Sequence, residues 1–141
     1  MNASPTPPFR ADHVGSLLRP PELLRARAER EAGRITAADL RAVEDAAIRD
    51  VVHMQTEAGL RGVTDGEFRR GSWHMDFLYQ IGGVAKSERT LRIQFKNESG
   101  PVEAALGAFH IGGKLGLEKT IFAEDFSYLK RVAPAGATLF R

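Results

Sequence analysis

Two short stretches of this sequence carry residue types that could grip a small zwitterion. The first is His13-Val14-Gly15-Ser16; the second is Asp65-Gly66-Glu67, followed by Arg69-Arg70 and Trp73-His74-Met75-Asp76. Gly15 lets a ligand approach the backbone, and Ser16 offers a hydroxyl and an N–H. Glu67 can accept from an ammonium, while Arg69 or Arg70 can pair with a carboxylate or phosphate. Such a set suits an amino-acid-like ligand, whose amine needs an acceptor and whose carboxylate needs donors. The same residues admit a structural reading: Asp65-Gly66 as a turn, Glu67 paired with an arginine, and Ser16 capping the segment after it. Pattern alone leaves both open.

The elements around these stretches are legible from periodicity and punctuation. Residues 9–16 read as a short strand running into a Gly-Ser loop. Pro20-Pro21 opens a helix over 21–32, Arg- and Glu-rich, mostly solvated and ended by Gly33. A long amphipathic helix is expected over 36–58. Thr36 is its N-cap, Asp39 stands in for the capping-box Glu, and Leu40, Val43, Ala47, Val51, Met54 and Ala58 form its apolar stripe. Gly59 is the expected left-handed residue after it, with Leu60 folding back. Residues 60–64 read as a strand punctuated by Asp65-Gly66. Strand, helix, strand implies a parallel pair, and loops at the carboxyl ends of such strands are where α/β folds carry chemistry. Gly15-Ser16 and Asp65-Gly66-Glu67 would then lie side by side.

Further on, Leu91, Ile93 and Phe95 alternate with Arg92, Gln94 and Lys96, a half-exposed strand. A turn at 97–101 and a returning strand over 109–117 make this a β-hairpin insertion. Residues 122–132 form another amphipathic helix with Phe122, Phe126 and Leu129 on one face. Residues 137–140 begin a third strand. Residues 1–8 read as a disordered lead-in, and 9–141 as one domain.

Composition excludes several classes. With 141 residues and no cysteine, the chain has neither a disulfide framework nor a thiolate metal cage. Residues 1–35 carry six Arg against four acids, and the rest carries fourteen charges of each sign, so no nucleic-acid footprint emerges. The longest charge-free run is ten residues, 104–113, against the roughly 20 that a bilayer span requires. No signal peptide is evident, and a cytoplasmic protein is expected. His13 and His74 flank the ligand loops, but a zinc centre takes about four ligands. His53 and Glu57, one helical turn apart, read as a solvated pair. Met54 reads as core. No GxGxxG, P-loop, GxSxG or HExxH pattern occurs.

The segments DHVGSLLRPPELL, AVEDAAIRDVVHMQTEAGLRGVTDGEFRRGSWHMDFLYQIGG and KTIFAEDFSYLKRVAP resemble the amino-terminal portion of the methionine synthase II family. That family is similar to the catalytic domain of cobalamin-independent methionine synthase, in the uroporphyrinogen-decarboxylase-like barrel superfamily. The resemblance implies an α/β fold, the amino-terminal part of a (β/α)8 TIM barrel: about two βα units, the hairpin insertion and the start of a third strand. It also implies methyl transfer from a methylfolate-type donor to homocysteine or a similar thiol, with zinc favouring the thiolate in the full-length parent. Carried over by motif, Val14, Gly15, Ser16 and Glu67 would hold the amino-acid end of the thiol substrate. His13, Asp65, Arg69, Arg70, Trp73 and His74 would lie near it. The family's zinc ligands, a His, two Cys and a Glu from later strands, have no counterpart here. The chain is therefore expected to be a fragment, inactive alone. Two alternatives stand beside this reading: a non-catalytic binding or assembly module that pairs through an exposed sheet edge, and a uroporphyrinogen-decarboxylase-like lyase. No membrane or nucleic-acid partner is expected.

Overall fold

A computed structural model describes residues 15–98 and 100–140 as a mixed α/β structure with two small sheets. The elements in chain order are α1 (Pro21–Glu31), α2 (Ala37–Glu57), β1 (Gly62–Thr64), α3 (Met75–Leu78), β2 (Gly82–Asn97), β3 (Gly100–Gly116), α4 (Ala123–Val132) and β4 (Thr138–Phe140). They fall into two compact units, 1–69 with 126–141 and 70–125. Among the described residues the strands close no barrel, and no helix is long and apolar enough to cross a membrane. The expected lead-in at 1–8, and most of the strand expected over 9–16, lie outside the described residues. Gly15 and Ser16 themselves are not in a strand.

In the first unit the helix ends form as their residues require. Thr36 Oγ1 accepts from Asp39 N at 3.1 Å while the Asp39 carboxylate accepts from Thr36 N at 2.8 Å, a capping box with Asp in place of Glu. At the other end of α2, Gly59 N donates to Thr56 O and Leu60 N to Gln55 O, the paired bonds of a Schellman motif. Gly59, at φ +79°, supplies the left-handed residue that this closure needs. β1 then pairs in parallel with β4, Val63 opposite Leu139. The parallel pair expected between residues 9–16 and 60–64 falls mostly outside the described residues.

The core of this unit joins Leu23 of α1, Ala47, Ile48, Val51 and Val52 of α2, Phe68, and Tyr128 and Leu129 of α4. α1 is solvated over most of its length, as expected, with Leu23 and Ala26 buried. Two expectations about α2 need correction. Met54 is 49% exposed rather than core. The buried face of α2 runs through Glu44, Ala47, Ile48, Val51, Val52 and Gln55, rotated from the apolar stripe. Two polar residues lie on that face because each has a built-in partner: Glu44 binds Arg69, and Gln55 binds the backbone of β1. Phe126 is likewise exposed, and Tyr128 joins Leu129 as the buried pair of α4.

The second unit is built on an antiparallel ribbon, β2 with β3, in register from Asn97 opposite Gly100 back to Gly82 opposite Gly116. The hairpin expectation is met, with strands much longer than the alternation alone marked. Register irregularities lie between Gly82 and Val84 and between Ser87 and Thr90. Tyr79, just after α3, donates its hydroxyl to Ala108 O at 3.3 Å, and the Lys86 ammonium lies 5.1 Å from the Tyr79 ring centroid.

Candidate functional site

The turn that follows β1 is defined by a closed set of backbone hydrogen bonds. Phe68 N donates to Asp65 O at 3.2 Å, closing a β-turn whose central residues, Gly66 and Glu67, lie at φ +65° and +58°. Two successive left-handed residues mark the type I′ class. Glycine takes this conformation freely. A Cβ on Gly66 would also meet the Phe68 ring at 2.8 Å, which leaves no room for a side chain. Glu67 takes the left-handed form at a cost of about 1 kcal/mol, so the surroundings must hold it there.

They do so atom by atom. Gly66 N donates to Thr64 Oγ1 at 3.0 Å, and Glu67 N to Asp65 Oδ1 at 2.9 Å. The three carbonyls of the turn accept in sequence from the chain's earliest described segment. Leu17 N donates to Gly66 O at 3.1 Å, Arg19 Nη2 to Glu67 O at 3.0 Å, and Arg27 Nη2 to Phe68 O at 2.5 Å. Every backbone donor and acceptor from Gly66 to Phe68 thus has a partner, as burial demands.

Thr64 joins this turn to the glycine-serine stretch. Its hydroxyl donates to Gly15 O at 2.8 Å while accepting from Gly66 N. Its own N–H donates to Gln55 Oε1 and its carbonyl accepts from Gln55 Nε2, each at 2.9 Å. The Gln55 amide therefore takes the place of a neighbouring strand on that edge of β1. Gly15, at φ +99°, is buried, and Ser16 beside it is exposed. The placement expected from sequence, Gly15-Ser16 beside Asp65-Gly66-Glu67, is realised.

The arginine pair divides. The Arg69 guanidinium donates to Glu44 Oε2 at 3.0 Å and to Asp45 Oδ1, and lies 5.0 Å from the Tyr128 ring centroid. Burial opposes its charge, but the bonds to Asp45 and Glu44 outweigh that and hold its pKa above the ordinary value. Tyr128 adds a hydroxyl bond to Asp45 O at 2.8 Å and accepts from Arg49 at 2.9 Å. Arg69 thus ties the turn to α2 and α4. Arg70 belongs to the second unit, buried with its guanidinium 4.9 Å from the Phe122 ring centroid.

Trp73 and His74 also belong to the second unit. Their rings sit 4.6 Å apart, with Trp73 70% exposed. The Asp76 carboxylate accepts from Gly71 N and Ser72 N, which shapes the loop that carries them. His13 and Val14 lie outside the described residues. His53 and Glu57 form an exposed pair at 3.2 Å, as expected. Among the described residues no three of His, Cys, Asp and Glu converge as a metal would require. Sequence reasoning passed over Thr64, Gln55, Arg19 and Arg27. Only Thr64 carried a usable signal, a hydroxyl at the carboxyl end of the strand, next to the turn.

No family model matches the chain. It is 42% identical over 127 residues to the uncharacterized protein YxjG of Bacillus subtilis, covering 90% of this chain and 32% of that one. It is 32% identical over 82 residues to a 5-methyltetrahydropteroyltriglutamate–homocysteine methyltransferase of a Synechococcus strain, covering 58% of this chain and 11% of that one. Among solved structures, a provisionally assigned vitamin-B12-independent methionine synthase from Listeria monocytogenes matches with TM-score 0.71 and 36% identity, over 94% of this chain and 35% of that one. A B12-independent methionine synthase from Shewanella sp. W3-18-1, in complex with selenomethionine, shares the fold at TM-score 0.52 and 23% identity, over 70% of this chain and 27% of that one. The chain spans about a third of the length of YxjG and of the Listeria protein. It is similar, over most of its own length, to a portion of proteins named as B12-independent methionine synthases.

Proposed function

We propose that this chain is the amino-acid-binding portion of a methyltransferase of the cobalamin-independent methionine synthase type, its strands belonging to a (β/α)8 barrel. The observation that carries the reading is the Thr64 hydroxyl, which bonds Gly15 on one side and Gly66 on the other. It joins the two stretches whose chemistry suits a zwitterion. In this reading the Glu67 carboxylate accepts from the ammonium of a homocysteine-like thiol. Gly15 and the Ser16 hydroxyl serve the carboxylate end, with Asp65 shaping the turn. Arg69 acts through the scaffold, bound to Glu44 and Asp45. A left-handed Glu67, costly unless held, supports this choice, because such strain collects at functional residues.

The zinc that this reaction type implies does not fit the residues present. The chain has no cysteine, and among the described residues no ligand cluster forms. No step here is routed through a metal, and the methylfolate donor is likewise assigned to the whole enzyme. Calorimetric titration of L-homocysteine into wild type and Glu67→Gln tests the reading. Measurable uptake that weakens about tenfold or more on losing the charge-assisted bond supports it. Equal affinities, or no uptake by wild type at millimolar ligand, contradict it.

A second reading, assembly through the ribbon, is favoured by one observation: Phe95 and Ile111 on β2 and β3 are 52% and 61% exposed. Light scattering across concentration tests it, and a monomer throughout would rule it out.

A further inference from the structure

Leu17, Arg19 and Arg27 donate to three consecutive carbonyls, those of Gly66, Glu67 and Phe68. The donors come from a single stretch of chain, the segment leading into α1 and the second turn of that helix. We propose that Arg19 and Arg27 are positioning residues, which splint the turn so that Glu67 keeps its left-handed backbone and presents its carboxylate in one orientation. The proposal rests on the reading of Glu67 as a ligand-binding residue, and deepens it by naming what holds that residue.

The geometry distinguishes this role from ordinary helix packing. α1 is fixed to the core by Leu23, whose apolar side chain packs in the core cluster. The two guanidinium groups instead reach 41 and 48 residues along the chain to backbone oxygens. A carbonyl has no charge to attract a cation from a distance, so these bonds are bought by direction: the planar fork of arginine sets donors at fixed angles, which a lysine ammonium does not. The peptide units on either side of Glu67 carry Gly66 O and Glu67 O, held by Leu17 N and by Arg19, and the unit after them carries Phe68 O, held by Arg27. Arg19 thus restrains the Glu67 backbone directly and Arg27 anchors the Phe68 unit it leads into, so that together they resist the rotation that would return Glu67 to the common right-handed region. Asp65 Oδ1 holds the amide on the other side of the same residue. Rigid presentation of one carboxylate lowers the ordering cost when an ammonium binds.

The test uses the labelled 141-residue chain and nuclear magnetic resonance. A left-handed residue gives a strong intraresidue HN–Hα Overhauser signal, and Glu67 of wild type is expected to show it. In Arg19→Ala/Arg27→Ala that signal should fall toward the level of an ordinary residue, and in Arg27→Lys it should fall only in part. Arg30→Ala, on an exposed position of α1, should leave it unchanged. L-homocysteine affinity should weaken about 3- to 10-fold in the double variant. An unchanged Glu67 signal in the double variant would overturn the proposal. Should the double variant fail to fold, Arg19→Lys and Arg27→Lys decide by the same signal. If Glu67→Gln retains full L-homocysteine affinity, the reading of the site fails, while the Overhauser signal still decides the splint.

Discussion

The turn after β1 and the ribbon of β2 and β3 solve the backbone's needs in opposite ways. At the turn, six hydrogen bonds satisfy three consecutive residues, three from the segment 17–27 and three from Thr64 and Asp65. Along the ribbon, bonds repeat in register between two neighbouring strands, and apolar side chains such as Phe95 stay more than half exposed. A two-stranded ribbon buries little on either face, so its stability is marginal by itself. The difference separates a place built to hold one geometry from one built by local pairing. Chemistry that needs a fixed carboxylate belongs at the former.

The largest expected effect that would sharpen this contrast is at Phe68, fully enclosed beside the turn. Phe68→Ala should cost about 3–5 kcal/mol in denaturant unfolding, whereas Phe95→Thr on the ribbon should stay within about 0.5 kcal/mol. Comparable losses at both would break the comparison. Arg69→Ala comes next, at roughly 3 kcal/mol, since it removes the cation that pairs the buried Glu44. Gln55→Leu should follow at about 2 kcal/mol, because it leaves the Thr64 N–H and carbonyl unpaired in the core. Both are read from the same unfolding curves.

How far these positions could be foreseen depends on whether their partners were local. The capping box, the glycine closure of α2 and the ribbon all follow from residues within a few positions of each other or from simple alternation. The facing of α2 did not, because Glu44 and Gln55 look like surface residues until Arg69 and Thr64 arrive from elsewhere in the chain. For the same reason Arg19 and Arg27 were indistinguishable from the other arginines of a charged helix. Gly15, Ser16, Asp65 and Glu67 were recognisable by residue type, and their closeness followed from the expectation of adjacent strand ends. The bonds from Leu17, Arg19 and Arg27 to the turn carbonyls were not, since each spans more than 40 residues.

The smallest effect is at the start of α2. Hydrogen bonds from Thr36 hold the Asp39 carboxyl below its ordinary pKa near 3.8. Its contribution is therefore present above that value and lost as pH falls through the lowered one. Thr36→Ala should cost about 1 kcal/mol at neutral pH, and Asp39→Asn should flatten the acid limb of the stability profile. A profile unchanged by Asp39→Asn would remove the capping box from the account.

Amide hydrogen exchange with and without L-homocysteine tests the central claim most directly, because it reads the turn and the ribbon in one experiment. The account predicts slow exchange at Leu17, Thr64, Gly66, Glu67 and Phe68, slowed further by the ligand, with β2 and β3 unchanged. Ligand protection that misses residues 64–68, or that appears only along the ribbon, would contradict it.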